Sequence, residues 1–257
     1  MLSASVLLTI AVSLLSVVSL LFLAQGARGT DWMTLWMDET WRDSLGITLY
    51  VVLASTCMSL LIGTWLARTV SFRQWPFVSR VLRLPMFVPH IAAAYLFLIL
   101  FSGQSGGGWF DANEPHYVTV ILTYVWKEVP FVFLMMGVTY EQVNQGYRDM
   151  ARTLQLSPVQ QFRHAELPFL IKPLLDTFWI LTAFISFAYE VPSLLGVTYP
   201  KLLGVLAYDR LSTGLYLESS EPYAVALVWT VFVTGGVVVS YMATHRLRRR
   251  IERGVRR

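Results

Sequence analysis

Six apolar runs, each close to the length of a membrane-spanning helix, divide this chain of 257 residues. A helix needs about 20 apolar residues to cross the hydrocarbon core of a bilayer. Hydrophobic residues make up 55% of the sequence and charged residues 14%, so too few charges remain to cover a water-facing surface. We therefore predict an all-α, polytopic membrane protein, a single domain over residues 1–257. Its six predicted transmembrane helices are 2–24, 46–67, 84–101, 117–140, 169–195 and 222–243.

Arginines indicate how these spans are oriented. Arg68, Arg73, Arg80 and Arg83 follow the second run, and residues 244–257 carry seven more arginines. Loops rich in Lys and Arg lie on the cytoplasmic side of membrane proteins. We therefore predict that both termini are cytoplasmic and that the basic tail lies near anionic lipid headgroups. No nucleic-acid partner is expected, because this tail is joined directly to a membrane helix.

A polar stretch, residues 141–168, interrupts the apolar pattern between the fourth and fifth runs. Ser157 is placed to cap a helix that has Pro158 at its first position and Gln160 three residues after the cap, the capping-box arrangement. Before it, apolar residues spaced by four, three and four share one helix face, namely Val143, Tyr147, Met150 and Leu154. The sequence thus predicts two short helices joined by a tight, basic turn, which suits docking into another protein.

This stretch resembles the cytoplasmic loop of the permease subunits of binding-protein-dependent ABC importers. In that family E-A-A-x-x-x-G is followed by nine residues and then I-x-L-P, and the loop fits the ATPase. The residues at the seven specified positions here are Asp149, Met150, Ala151, Gln155, Ala165, Leu167 and Pro168. Gln155 departs most from the pattern, because a left-handed residue after a helix prefers Gly and a side chain there costs roughly 1 kcal/mol. The resemblance extends over residues 44–243.

The resemblance implies a permease subunit of a type I ABC importer in the bacterial inner membrane. Its partners would be ABC ATPase subunits, a second permease subunit, identical or different, and an extracytoplasmic solute-binding protein. The chain has no G-x-x-x-x-G-K-[ST] loop for nucleotide phosphates, so it is predicted to be no enzyme and to hold no cofactor or metal. The residues implied to couple to the ATPase are Asp149, Met150, Ala151, Arg152, Leu154, Gln155, Ser157, Phe162, Leu167 and Pro168.

Residues 192–208 resemble the branch of this family that carries polyamines, iron(III), thiamine and phosphonates. The predicted solute is therefore small and polar or charged. Candidate residues of the translocation path are the polar and helix-breaking residues of the fourth and fifth runs, Lys127, Glu128, Pro130, Tyr189, Glu190 and Pro192. Lys127 and Glu128 point about 100° apart on a helix, so each needs its own partner. A buried ion pair that fixes helix packing is the alternative for these two charges, and a carboxylate at the outer interface is the alternative for Glu190.

Two other functions are compatible with parts of the sequence. Residues 103–106 spell G-Q-S-G, a pattern found in rhomboid intramembrane proteases, but the last run holds no histidine to activate the serine. A structural or regulatory transporter subunit is the other alternative, because Gln155 departs from the docking pattern. His90 is interpreted as a packed or hydrogen-bonded residue, since no other ligand follows it at metal-binding spacing.

Overall fold

The computed structural model describes residues 4–102, 116–142, 153–196, 199–212 and 220–255, with side chains through His245. Within these ranges the chain is helical and contains no strand, so the predicted all-α fold is confirmed. The helices are α1 (Ala4–Gly26), α2 (Trp32–Met37), α3 (Glu39–Arg73), α4 (Pro76–Val81), α5 (His90–Phe101), α6 (Val118–Gln142), α7 (Pro158–Gln161), α8 (Leu167–Ser186), α9 (Glu190–Leu195), α10 (Leu203–Ser212) and α11 (Glu221–Val255).

Among the described residues, five helical segments are long and apolar enough to cross a membrane. They are Ser5–Gly26, Glu39–Arg73, Val118–Glu141, Pro158–Ser186 and Glu221–His245. A sixth crossing results if Pro76–Phe87 and His90–Phe101, which meet at an angle of 98°, form one broken span. This bend lies at Pro85 and Pro89, where two prolines in the third apolar run predict one from the sequence.

Three boundaries differ from those of the apolar runs, namely the start of α3, the end of α3 and a break within the fifth run. The second run, 46–67, lies inside α3, which has 35 residues because the carboxylate of Asp38 caps its start and Gln74 ends it in a left-handed conformation. Hydropathy marks only the apolar part of such a helix. The fifth run, 169–195, is divided into α8 and α9, because Pro192 has no N–H to bond the carbonyl of Ala188.

The centre of the protein is the contact between α3 and α6, the most extensive of any described helix pair. The small residue Gly63 of α3 lies directly against α6. A Cβ atom added there would lie 2.6 Å from Cβ of Val132 and 3.0 Å from the carbonyl oxygen of Val129. Only glycine fits this contact without a shift of α6.

The first helix, α1, lies at the edge of the protein and has an exposed apolar surface. The apolar window of α1 has no buried residue, and this helix packs against α11 alone among its principal contacts. A helix that is apolar on all sides and exposed suits contact with lipid or with another membrane helix.

Candidate functional site

The break before α5 is created by two prolines. A short 3₁₀ turn, Leu84–Phe87, precedes it, and Val88 is extended with φ −83° and ψ 123°. A residue before proline disfavours the helical conformation, and Pro89 itself has no N–H to donate backwards. The carbonyl of Val88 consequently has no helix donor, and that of Pro85 has only the N–H of Val88, at 3.2 Å, so both can accept donors from elsewhere in the protein.

Lys127 of α6 supplies these donors. Its ammonium group donates to the carbonyl oxygen of Pro85 at 2.8 Å and also to that of Val88. The side chain is only 5% exposed, so its charge is compensated by these two dipoles rather than by water. Lys127 thereby fixes α6 to the broken segment.

Glu128, the next residue of α6, contacts the helix that follows the break. Its Oε1 atom lies 3.5 Å from Nε2 of His90, the first residue of α5. The His90 ring also packs against Phe184 of α8, with ring centroids 5.0 Å apart. The structure therefore confirms that Lys127 and Glu128 have separate partners and that His90 is a packed, hydrogen-bonded residue. Pro130 follows within α6 and is buried.

A second break, between α8 and α9, forms one wall of a cavity of about 410 Å³. Tyr189 and Glu190 are exposed here, whereas Pro192 is buried in α9. The ring of Tyr189 lies 4.3 Å from that of Tyr208, centroid to centroid. The cavity is lined by His90, Tyr124, Phe184, Ala188, Tyr189, Glu190, Val191 and Tyr208. Two of the predicted path residues, Tyr189 and Glu190, therefore line one cavity together with His90, the partner of Glu128.

The described part of the docking loop begins after Arg152, so Asp149, Met150, Ala151 and Arg152 lie outside the described residues. The capping box is present: Ser157 N–H donates to Oε1 of Gln160 at 2.9 Å, and Gln160 N–H donates to Oγ of Ser157 at 3.4 Å. Leu154 is 60% exposed and Val159 74% exposed. Together these residues form a capped helical turn with an apolar outer surface, here called the docking turn (Leu154–Gln161).

Gln155 has φ +52°, the left-handed conformation expected where the family pattern has Gly. The turn thus keeps its shape with a non-glycine residue, at a cost of roughly 1 kcal/mol. Phe162 is half-buried and packs against the core around α3 and α6. Leu167 and Pro168 begin α8, a position where proline loses no helix hydrogen bond.

A π-helical turn, Phe162–Glu166, joins the docking turn to α8. Glu166, its last residue, is 2% exposed and accepts two hydrogen bonds from the guanidinium of Arg68 in α3, at 2.7 Å and 3.0 Å. The hydroxyl of Tyr140 in α6 donates to the same carboxylate at 3.2 Å. The loop that follows α6 is therefore anchored to both central membrane helices.

This contact between Arg68 and Glu166 is not evident from the sequence. Arg68 follows the second apolar run and was expected in a basic loop, but it lies within α3. The available signal was a carboxylate at Glu166, directly before Leu167 and Pro168, because an acidic residue at the start of a membrane helix calls for a partner. Sequence alone did not show which of the 20 basic residues was that partner.

Comparison with known proteins identifies the family. The family described as binding-protein-dependent transport system inner membrane component matches residues 59–253. The molybdate/tungstate transport system permease protein WtpB of Methanocaldococcus jannaschii is 24% identical over 198 residues, which cover 75% of this chain and 78% of the relative. The sn-glycerol-3-phosphate transport system permease protein UgpA of Shigella flexneri is 24% identical over 234 residues, covering 82% and 78%.

Solved structures show the same fold. A chain of a bacterial ABC transporter involved in the import of the acidic polysaccharide alginate aligns with a TM-score of 0.69 and 18% identity, covering 96% of this chain and 94% of that chain. A chain of the MetNI methionine ABC transporter in an inward-facing conformation aligns with a TM-score of 0.59 and 16% identity, covering 85% and 99%.

These relatives are named as permease proteins of transport systems or as ABC transporters, and none of them is named as a protease. The family match covers most of the chain, including α5, the docking turn and both breaks. This chain therefore belongs to the inner membrane components of binding-protein-dependent transport systems, the permease subunits of ABC importers.

Proposed function

We propose that this chain couples ATP hydrolysis on a partner subunit to the passage of a small organic cation, through its docking turn and the cavity beside α9. The docking turn would enter the ATPase. The observation that supports this most directly is a helical turn held by its own capping box, with Leu154 and Val159 exposed beside it. Exposed apolar residues on a rigid turn suit a protein interface.

The proposed ATPase contacts are those implied by the family pattern. They are Asp149, Met150, Ala151, Arg152, Leu154, Gln155, Ser157, Phe162, Leu167 and Pro168. The proposed orientation is supported by Arg68, which bonds Glu166 five residues after the docking turn ends, because basic residues favour the cytoplasmic side. Both termini would then be cytoplasmic, with six crossings if the broken span counts as one.

The proposed path runs between the two breaks. Lys127, Glu128 and Pro130 would set the shape of α6 and hold α5, while Tyr189 and Glu190 would face the solute and Pro192 would keep α9 separate from α8. The link between these groups is His90, which contacts Glu128 and lines the cavity with Glu190. Lys127 and Glu128 would act on the path through packing, and Glu190 through direct contact.

The charges of the cavity support a cationic solute. Among the described side chains, no lysine or arginine lines it, and no hydrogen bond or ion pair engages the carboxylate of Glu190. The nearby ammonium of Lys127 is occupied by two backbone carbonyls. Phe184, Tyr189 and Tyr208 offer aromatic faces, which attract organic cations.

The named relatives transport other solutes. WtpB is named for molybdate and tungstate, and UgpA for sn-glycerol 3-phosphate, all of them oxyanions. None is named for the polyamines, iron(III), thiamine or phosphonates predicted from residues 192–208. Of those predicted solutes, the cavity supports the organic cations, polyamines and thiamine, over phosphonates.

The docking turn is tested by Leu154→Asp in the reconstituted importer. We expect the ATPase subunit to be released and uptake to fall at least tenfold, because burying an unpaired carboxylate in an interface costs several kcal/mol. Leu154→Met, which keeps the surface apolar, is the matched control. Normal uptake with the ATPase still bound to the Asp variant would contradict the proposal.

The solute class is tested by thermal unfolding of the purified complex in nanodiscs. Putrescine and choline are expected to raise the unfolding midpoint, since a ligand that binds only the folded state stabilises it. Molybdate and sn-glycerol 3-phosphate are expected to leave it unchanged. Glu190→Gln should weaken cation binding by about tenfold or more, through loss of a charge-assisted contact.

Glu39→Gln removes a carboxylate that is exposed and outside the cavity, and it should bind putrescine as the unchanged protein does. Stabilisation by the oxyanions and by neither cation would overturn the proposed solute class. Absence of any cation effect would overturn it as well, while leaving the docking role to be judged by Leu154→Asp.

A further inference from the structure

The carboxylate of Glu166 is the point at which the docking loop meets the membrane core. Arg68 binds it with both Nε and Nη2, a paired geometry that fixes direction as well as distance. Tyr140 adds a third donor to the Oε2 atom. Arg68, Tyr140 and Glu166 are here called the brace.

Aromatic contacts hold the two partners of Glu166 in place. The guanidinium carbon of Arg68 lies 4.7 Å from the centre of the Phe72 ring, and this ring meets that of Tyr140 edge to face at 6.0 Å. A guanidinium stacked on a ring keeps its N–H donors available, and it loses little conformational freedom when it binds a carboxylate. The brace is therefore prearranged on α3 and α6, ready to receive one residue of the loop.

The π-helical turn explains how Glu166 reaches this position. A π turn contains one more residue than an α-helical turn and rotates the residues that follow it. Ala165 and Glu166 are buried as a result, while Arg163 and His164 remain exposed. The backbone between the docking turn and α8 is thus shaped so that a single carboxylate points into the core.

The brace also reaches the break before α5 through α6. Tyr140 and Glu128 lie on this one helix, about 18 Å apart at the usual rise per residue. Glu128 contacts His90 at the start of α5, and Lys127 holds the segment before it. A displacement of the loop at Glu166 would therefore reach the broken span along one continuous helix, α6.

We propose that Glu166 is a positioning residue, through which the brace makes α3 and α6 follow the docking turn when nucleotide binds to the ATPase. This inference rests on the proposed docking role of that turn. Docking itself depends on the exposed outer surface of the turn, whereas the response of the membrane helices depends on the buried brace. The two steps can therefore be separated by mutation.

The test measures accessibility of the cavity in the assembled importer. In a Cys57→Ser background, Tyr189→Cys is labelled with a membrane-impermeant maleimide, with and without ATP, in complex with the ATPase subunits. ATP is expected to change the labelling rate when the brace is intact. In Glu166→Gln the ATP-dependent change should be roughly tenfold smaller, with equal recovery of the ATPase, as coupling is lost but docking is kept.

Three further variants test the proposed mechanism. Arg68→Gln combined with Glu166→Gln should respond like either single variant, because residues that act as a unit are not additive. Arg68→Lys should give an intermediate response, since an ammonium keeps the charge but loses the paired geometry. Glu141→Gln, an exposed carboxylate beside Tyr140 but outside the brace, is the matched control and should leave the response unchanged.

An unchanged ATP response in Glu166→Gln would overturn the positioning role, even if that variant unfolds at a lower temperature. Additive effects of the two Gln substitutions would also overturn it. If Leu154→Asp fails to release the ATPase, the docking proposal fails instead, which distinguishes the two results.

Discussion

Replacing Lys127 with Met is expected to lower the free energy of unfolding by about 2–4 kcal/mol. Methionine has nearly the same length and is apolar, so the substitution removes the charge and the donors with little change in shape. The carbonyl of Val88 would then lose its donor, and that of Pro85 would keep only the N–H of Val88. The break before α5 should become the first part of the protein to open.

Equilibrium unfolding of the detergent-solubilised chain by SDS would measure this change. Lys172→Met is the matched control, because Lys172 is exposed on α8, and it should change the free energy of unfolding by less than about 1 kcal/mol. Equal effects of the two substitutions would show that the bonds of Lys127 contribute nothing specific to the break.

Gly63→Ala and Gly46→Ala are expected to change stability in opposite directions although both lie on α3. At Gly63 the new methyl group would stand 2.6 Å from Cβ of Val132, so overpacking should lower the free energy of unfolding by about 1–3 kcal/mol. At Gly46 no atom lies within 4 Å of the new Cβ. There the better helix propensity of Ala should raise the free energy of unfolding by up to about 1 kcal/mol.

The double variant Gly63→Ala/Val132→Gly identifies the cause. Removing Cβ and both methyl groups of Val132 makes room for the new methyl group, so the double variant should be more stable than the sum of the two single changes predicts. The same SDS titration measures all three proteins. A double variant that is less stable than the sum of the two single changes would contradict direct contact between these residues.

Local rules predicted the parts of the structure that depend on neighbouring residues. The capping box at Ser157 and Gln160 follows from chain spacing alone, whereas a left-handed residue at Gln155 was implied only by the resemblance to the family pattern. The prolines at positions 85 and 89 predicted the bend, since proline acts on its own backbone. The angle between Lys127 and Glu128 on one helix predicted separate partners without identifying them.

Contacts between residues far apart in the sequence could not be predicted from these local patterns. Arg68 and Glu166 are 98 positions apart, and no periodicity connects them. The turn that buries Glu166 is π-helical, and a one-residue change of helical phase leaves no mark in the hydropathy of the sequence. The cavity beside α9 also depends on Tyr208, which reaches Tyr189 only after α10 has folded against the break.

The helix α3 is longer than a membrane crossing requires. Its 35 residues measure roughly 52 Å, well beyond the ~30 Å hydrocarbon core. Near one end Arg68 holds Glu166, and near the other Nε1 of Trp41 donates to Glu221 of α11 at 3.3 Å. These two contacts are about 40 Å apart along the helix, so α3 joins the end of the docking loop to the start of α11 as one continuous element.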